Sequence, residues 1–487
     1  MVLFIDKISY NALYWQLFVV YTALLEEFPL TDKRRKNKFL LVWEIFLNVA
    51  GMALIFTVIW FCFYRYNLQT TFLYKKGTTL LIGIYAGLYF LFANFYGGHK
   101  IGYLRVSEIM YSQFLAMIMV NVIAFFEACL IDRRIVEIKP IIIMTVVDTF
   151  YIFFWSIWCN RRFRNRNVVR NMTVICETSL SEDLIKKMNF YDYKFHITKQ
   201  LGIKEGIDSI ISQLDPLDGV IIADVDGNMK KRIIEYCFEN GMPVFIIPDV
   251  SEILVKSSYV LNLMDMPVLV CNRGEMSIMD EFVKRLFDVC VSIMSLIVLW
   301  PFMLVTAAAI KLYDGGPVIY KQKRLTINGK EFFLYKFRSM VVNAEKDGVA
   351  RLAKQMDDRI TPVGRFIRKV RLDELPQLIN VIKGDMSIVG PRPERPEIAR
   401  QYEKYIPEFR YRLKVKAGLT GYAQVLGRYN TDPYDKLMWD LTYIGGYSFF
   451  LDIKLIMMTI KILFVPESTQ GVGKKEITAQ KRKRGRV

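Results

Sequence analysis

Histidine is almost missing from this 487-residue chain: only His99 and His196 are present. Neither has a partner at ligand spacing, which argues against a zinc site or a histidine-based triad. Cysteine is scarce and scattered. No two of Cys62, Cys129, Cys159, Cys176, Cys237, Cys271 and Cys290 lie close enough to form a metal knuckle or redox pair. They read as scattered apolar residues in a reducing compartment. No histidine follows His196 and no cysteine follows Cys290. Chemistry in the C-terminal region must therefore come from carboxylates, hydroxyls, lysines, arginines or a metal. A cleavable signal peptide is also lacking, because the N-terminal segment has no basic start followed by a small-residue cleavage site. No zinc-knuckle or basic-helix pattern occurs, so nucleic acid is not an expected partner despite the formal net charge of +18. That charge suits an anionic membrane face or a phosphate-bearing substrate.

What is abundant is apolar sequence. Hydrophobic residues make up 53% of the chain and are clustered, as in a membrane protein with soluble parts. Four runs, at 39–64, 78–96, 107–131 and 138–159, are long enough to cross a bilayer as helices. Glu44, Asn48, Asn121, Glu127 and Asp148 interrupt them, and are read first as helix–helix contacts and second as functional groups. Residues 8–28 form a weaker segment, read as a helix lying on the membrane surface. Lys33, Arg34, Arg35, Lys36 and Lys38 precede the first span. Arg161, Arg162, Arg164, Arg166 and Arg170 follow the fourth. Four spans return the chain to its starting side, so both basic clusters face the cytoplasm.

From Asn171 the pattern changes to short apolar runs alternating with polar helical stretches. Strands are expected at 172–176, 194–197, 219–223 and 244–247, with helices at 181–188 and 228–239. This is the rhythm of a small doubly wound α/β domain. The turn after its first strand, Glu177-Thr178-Ser179, has no glycine, so the backbone cannot approach a pyrophosphate in the usual way. A structural or regulatory role follows.

The third region begins near Ser277. The run at 287–310 is apolar enough for a span, but Lys284 and Arg285 precede it and Lys311, Lys321, Lys323 and Arg324 follow it. Basic residues at both ends fit a segment that enters and leaves by one face. Pro301 in its middle removes a helix hydrogen bond and favours a bend. A re-entrant hairpin is expected, with a kinked transmembrane helix as the alternative. Residues 441–465, apolar but carrying Asp452, Lys454 and Lys461, read as an interfacial helix. Residues 481–486 are a solvated basic tail.

The densest polar stretch is 365–395, with Arg368, Arg371, Asp373, Glu374, Asp385, Arg392, Glu394 and Arg395. Gly384, Gly390, Pro391 and Pro393 set tight turns among them. Guanidinium forks match phosphate oxygens, and Mg²⁺ takes one or two carboxylates plus substrate phosphates. Adjacent acids on a helix diverge by roughly 100°, so one can face a phosphorus atom while the other holds the metal. Taken alone, the cluster also fits surface ion pairs, and Pro391-Arg392-Pro393 fits a stiff turn.

At these residues the chain resembles the bacterial polyprenyl-phosphate hexose-1-phosphate transferases. The likeness runs through Lys284-Arg285-x-x-Asp288, Gly316-Pro317-Val318, Gln322-x-Arg324, Lys336-Phe337-Arg338-Ser339-Met340, Arg359-Ile360-Thr361 and Gly364. It is densest in Leu372-Asp373-Glu374-Leu375-Pro376-Gln377-Leu378, then Asn380-Val381, Gly384-Asp385-Met386-Ser387 and Val389-Gly390-Pro391-Arg392-Pro393. Gly418-Leu419-Thr420-Gly421-Tyr422-Ala423-Gln424 closes it. The resemblance implies Asp373 as nucleophile, Glu374 as Mg²⁺ ligand, and Lys336, Arg338, Arg368 and Arg392 as phosphate or nucleotide contacts. It places Lys284, Arg285, Asp288 and Pro301 on a re-entrant helix near 280–312. Trp300 stands where many members carry serine. The implied reaction is ping-pong: a UDP-hexose donor, UMP release, and an undecaprenyl phosphate acceptor, starting exopolysaccharide, capsule or O-antigen synthesis. An ordinary glycosyltransferase releasing UDP, or a non-catalytic scaffold for polysaccharide assembly, are the competing readings. Galactose, glucose and an N-acetylated hexose all fit.

The resulting architecture is a membrane α-helical bundle over 1–165, a Rossmann-like α/β domain over 166–276, and an α-rich α+β catalytic domain over 277–487. The expected setting is the bacterial inner membrane among its lipids, multi-pass, with the catalytic domain facing the cytoplasm and the extra bundle compatible with a homodimer.

Overall fold

A computed structural model describes residues 32–65, 76–102, 104–166, 170–177, 195–215, 219–271, 276–342, 357–427 and 432–463. The expected surface helix at 8–28, the helix at 181–188 and the basic tail at 481–486 lie outside the described residues. The chain forms two compact units, Met1–Ile247 and Pro248–Val487.

The first unit opens with α1 (Asp32–Ile59, continuing as a π-helical turn over Trp60–Tyr64), α2 (Lys76–Tyr96), α3 (Val106–Asp132) and α4 (Lys139–Arg166). All four are long and apolar enough to cross a membrane. Each packs on its neighbour in sequence, and α1 closes the bundle against α4. Four of the polar residues in these helices meet other helices. Tyr89 Oη donates to Asn48 Oδ1 (3.1 Å), Tyr85 Oη to Asn121 Oδ1 (2.8 Å), and Asn121 Nδ2 to Asp148 Oδ2 (3.1 Å). Arg162 pairs with Glu44 at 3.3 Å. Interhelical hydrogen bonds of this kind supply association energy where lipid removes the hydrophobic driving force.

The α/β part follows: β1 (Arg170–Cys176), β2 (Phe195–Gly202), α5 (Ile207–Ser212), β3 (Gly219–Ala223), α6 (Gly227–Glu239) and β4 (Val244–Ile246). All pairs are parallel, in the order β2-β1-β3-β4. Strand β3 is buried along its whole length, which is why it reads as a continuous apolar run rather than an alternation.

The second unit contains α7 (Val250–Lys256), β5 (Tyr259–Leu263), β6 (Met266–Val270), α8 (Ile278–Asp314), β7 (Ile319–Leu325), β8 (Glu331–Phe337), α9 (Pro362–Lys369), α10 (Gln377–Lys383), β9 (Met386–Val389), α11 (Pro396–Glu403), β10 (Ala417–Thr420), α12 (Tyr422–Val425), α13 (Pro433–Gly445) and α14 (Phe449–Leu463). Val250 and Ile253 are buried in one core with Ile388, Phe409, Leu437 and Leu441. The unit therefore starts at Pro248, ahead of the Ser277 from which the sequence pattern was read. The apolar run at 441–465 is two helices, α13 and α14, parted at Gly446. Asp452 in the second is only 1% exposed, so it is a packed charge and not a solvated one on an interfacial face.

Helix α8 is capped by Ser277, whose Oγ accepts from the Asp280 amide at 3.1 Å, and it continues through Pro301. Its 37 residues would span roughly 55 Å if straight. Lys284, Asp288 and Ser292 are buried at one-turn spacing near one end, and Thr306 and Ile310 near the other. Between them Ile293, Met294, Ile297, Val298, Trp300, Phe302 and Leu304 are exposed.

Candidate active site

The adjacent acids sit on a short reversal between α9 and α10. Thr361 caps α9, its Oγ1 accepting from the Gly364 amide at 2.9 Å. Gly364 is required there, because a Cβ would lie 1.9 Å from the Ser339 carbonyl oxygen. Arg371 then takes a left-handed backbone (φ 56°), which costs a non-glycine residue about 1 kcal/mol and turns the chain. Leu372–Glu374 is a 3-10 turn. Asp373 and Glu374 therefore diverge by about 120°, the 3-10 angle, and not by the α-helical angle expected from sequence.

Two cations converge on one carboxylate oxygen. Lys336 Nζ of β8 and Arg392 Nη2 each lie 3.0 Å from Glu374 Oε1. Burial pushes the Glu374 carboxyl up, but Lys336, Arg392 and Arg371 outweigh it and hold the group well below the usual carboxylate range. Asp373 goes the other way: burial and the neighbouring Glu374 charge raise it, and Lys336, Arg368 and Arg392 offset them only in part. One acid is thus locked as an anion and its neighbour is poised to change protonation.

Arg392 is carried by a turn pinned at every carbonyl. The Gly418 amide donates to Pro391 O (2.8 Å), Arg412 Nη2 to Arg392 O (2.9 Å), Arg324 Nη1 to Pro393 O (3.1 Å) and the Leu325 amide to Glu394 O (3.0 Å). Gly390 and Gly418 allow the close approach of β9 and β10, since a Cβ on Gly418 would fall 2.1 Å from the Gly390 nitrogen. Arg412 is itself held by the buried Asp440 at 2.7 Å. Burial and Glu394 push Asp440 up to about 6 against the pull of Arg412.

Helix α8 grips the same scaffold. Arg285 donates to Val381 O (2.6 Å) and Ile382 O (2.7 Å) at the end of α10. Asp288 accepts from the Ile388 amide of β9 at 3.1 Å. Lys284 pairs with Asp452 at 2.6 Å, and Tyr443 Oη lies 2.8 Å from Asp452 Oδ1 and 3.1 Å from Val389 O. Arg285 and Asp288 thus bear on α10, just after the acids, and on β9, just before the Arg392 turn, while Lys284 ties α8 to Asp452 of α14. Pro301 lies in the exposed stretch of α8.

The structure brings Asp373, Glu374, Lys336, Arg368 and Arg392 together, but Arg338 points elsewhere. It is buried and pairs with Asp314 at the far end of α8, a tie that also needs Gly316, where a Cβ would strike the Arg338 guanidinium. Arg412, Asp440 and Tyr443 were not singled out by sequence, and Asp452 was read only as a charge on an interfacial helix. Their signal is only a buried charge or hydroxyl, visible once the fold places them.

Among the described residues no three His, Cys, Asp or Glu side chains cluster as a metal cage. A Mg²⁺ ion seldom uses one, being held by one or two carboxylates with substrate phosphates and water. An ionised Glu374 beside Asp373 fits that donor set.

Residues 279–466 match the family model described as bacterial sugar transferase. Over 238 residues the chain is 37% identical to the UDP-N-acetylgalactosamine-undecaprenyl-phosphate N-acetylgalactosaminephosphotransferase of Aeromonas hydrophila, covering 48% of this chain and 55% of that protein. It is 38% identical over 240 residues to the UDP-glucose:undecaprenyl-phosphate glucose-1-phosphate transferase of Escherichia coli (strain K12), covering 48% and 52%. Against the exopolysaccharide production protein PSS of Rhizobium leguminosarum bv. phaseoli it is 41% identical over 204 residues, 40% of this chain and 100% of that protein. The chain thus spans about half the length of the first two relatives and the whole of the third. On the family match and on a relative aligned over its entire length, the chain belongs to the bacterial sugar transferase family.

Proposed function

We propose that this chain transfers a hexose 1-phosphate from a UDP-sugar to undecaprenyl phosphate, releasing UMP, as a first step in exopolysaccharide, capsule or O-antigen synthesis. The observation that carries this reading is the pair of adjacent carboxylates with opposite electrostatic settings, ringed by Lys336, Arg368 and Arg392. The relatives' names supply the substrate classes, undecaprenyl phosphate and a UDP-sugar. They differ in the sugar, so the hexose stays open.

In the first half-reaction an Asp373 carboxylate oxygen attacks the sugar-bearing phosphorus. The bond from that phosphorus to the bridging oxygen breaks, and UMP leaves with the electron pair. The product is an acyl phosphate on Asp373 carrying the sugar. In the second, an oxygen of undecaprenyl phosphate attacks the same phosphorus, the acyl-phosphate bond breaks, and Asp373 returns as carboxylate. Lys336, Arg368 and Arg392 stabilise the charge on the transferring group. Glu374 would hold Mg²⁺ together with substrate phosphates, and the bound ion would neutralise those phosphates.

The long apolar helix suits a lipid acceptor. Helix α8 is anchored to the catalytic unit at both ends and bare in its middle around Pro301, as a knee pushed into one leaflet would be. A re-entrant course from the cytoplasmic face of the inner membrane would bring lipid phosphate and soluble nucleotide to one place. Incubating the full chain with undecaprenyl phosphate and a panel of UDP-sugars tests the reading: UMP should appear with one or a few donors. Release of UDP with loss of the sugar's phosphate would refute it.

A further inference from the structure

Lys336 and Arg338 flank Phe337 at the end of β8, and the short stretch they belong to ties three parts of the second unit together. Lys336 Nζ lies 3.0 Å from Glu374 Oε1. Phe337 is buried in a small core with Ile310 of α8 and Ile367 of α9. The Arg338 side chain pairs with Asp314, and its amide donates to Val318 O at 2.9 Å. Ser339 O accepts from the Thr361 amide at 3.1 Å, at the cap of the helix that carries Arg368. Met340 bridges to Ile360. Residues 336–340 thus touch in turn the acid pair, α8 and α9. Asp314 is the last residue of α8, and the backbone fixes it there. Gly315 closes the helix in a left-handed conformation (φ 69°), its amide donating to Lys311 O at 2.9 Å. The Gly316 amide donates to Asp314 Oδ1 at 3.2 Å. Arg338 therefore grips the end of a helix and not a side chain free to swing.

We infer that Arg338 is a positioning residue for the transfer: by holding Asp314 it fixes the strand end to α8 and so sets the place of Lys336 against Glu374. The inference rests on the transfer reading above, and it gives Arg338 a different task from the phosphate contact that the resemblance implied. A buried ion pair adds little net stability over an apolar pair of similar size. What this one adds is a single geometry for the end of β8. Placement matters steeply, since an error of about 1 Å at a reacting centre costs roughly a hundred-fold in rate. Lys336 acts on the charge at the acid pair, whereas Arg338 acts through Lys336. The two side chains are therefore coupled, and removing both should cost little more than removing Lys336 alone.

The test is a double-mutant cycle on the full chain in lipid nanodiscs, read as the rate of the UMP burst at saturating UDP-sugar without undecaprenyl phosphate. Arg338→Met should slow the burst roughly ten- to a hundred-fold, while the donor concentration that half-saturates it stays within about three-fold. Arg338→Lys should recover part of the rate. In a Lys336→Met background, Arg338→Met should slow the burst by no more than about two-fold. Asp314→Asn keeps the shape of the helix end and leaves Arg338 in place, and it should slow the burst in the same direction. It stands in for Arg338→Met in the cycle if that variant does not fold, with the same outcomes expected. Losses that multiply in the double variant, a loss confined to donor affinity, or an unchanged burst in the single variants would overturn the inference. No UMP burst from the unaltered protein would overturn the transfer reading itself, before any variant is compared.

Discussion

Asp373 and Glu374 are chemically near-identical neighbours that their surroundings drive apart. Glu374, held low by Lys336, Arg392 and Arg371, stays ionised across the working range. Asp373, raised by burial and by Glu374, serves as nucleophile in the proposed reaction only as its anion. The first half-reaction should therefore quicken with pH over a range above that of an ordinary aspartate, and a stopped-flow pH profile of UMP release checks it. The stability sign is opposite. A carboxyl whose folded value is raised stabilises the protein below the unfolded value, and that contribution is lost as pH rises through the folded value. At neutral pH, Asp373→Asn should raise Tm while cutting turnover by roughly three orders of magnitude or more. Behind Arg392, Arg412→Met would strand the buried Asp440 and should cost about 3–5 kcal/mol, read by chemical denaturation. Arg412→Met with Asp440→Leu should recover most of that stability but leave the donor KM raised, because the Arg392 carbonyl has lost its donor. The acids, Lys336 and Arg392 were legible in sequence because charge is dense around them. Arg412 and Asp440 were not, since only the fold shows that they are buried and what they face.

Among elements, α8 carries the proposed link between the site and the membrane. Its length and apolarity were legible, whereas the helix runs on through Pro301, where a bend was expected. Its two-ended anchorage was not, because Lys284–Asp452 and Arg338–Asp314 join residues far apart in sequence. If the helix is re-entrant, cysteines replacing Glu281 and Lys321 should react with an impermeant thiol reagent from the same membrane face. Pro301→Ala restores a hydrogen bond and removes a clash, so a fraction of molecules should then expose the two sites on opposite faces. Labelling of intact and inverted vesicles reads this out. The β5–β6 hairpin went unread for a physical reason. Its two-residue turn is Met264-Asp265, both left-handed at φ 49° and 64°, where Asn-Gly is the usual signal. The 3-10 form of the Leu372–Glu374 turn was likewise hidden, since local sequence does not separate it from one turn of α-helix.

On the scale of the whole molecule, the apolar runs gave the bundle and the change of period near Asn171 gave the parallel sheet, both because periodicity is a property of long segments. The start of the second unit was less legible. Val250 and Ile253 pack with residues nearly two hundred positions downstream, and no composition shift marks that join. The second unit has its own core, and one relative matches this chain over its own entire length with only 40% of the chain involved. A fragment of residues 248–487 in nanodiscs should therefore keep UMP release within about ten-fold of the full chain. The most direct test of the central claim is a single-turnover experiment with a UDP-sugar labelled in its sugar-bearing phosphate and no undecaprenyl phosphate. The expected result is label bound covalently to the protein at Asp373, one UMP per label, discharged on adding undecaprenyl phosphate and absent in Asp373→Asn. Release of UDP without protein labelling, or full turnover by Asp373→Asn, would contradict it.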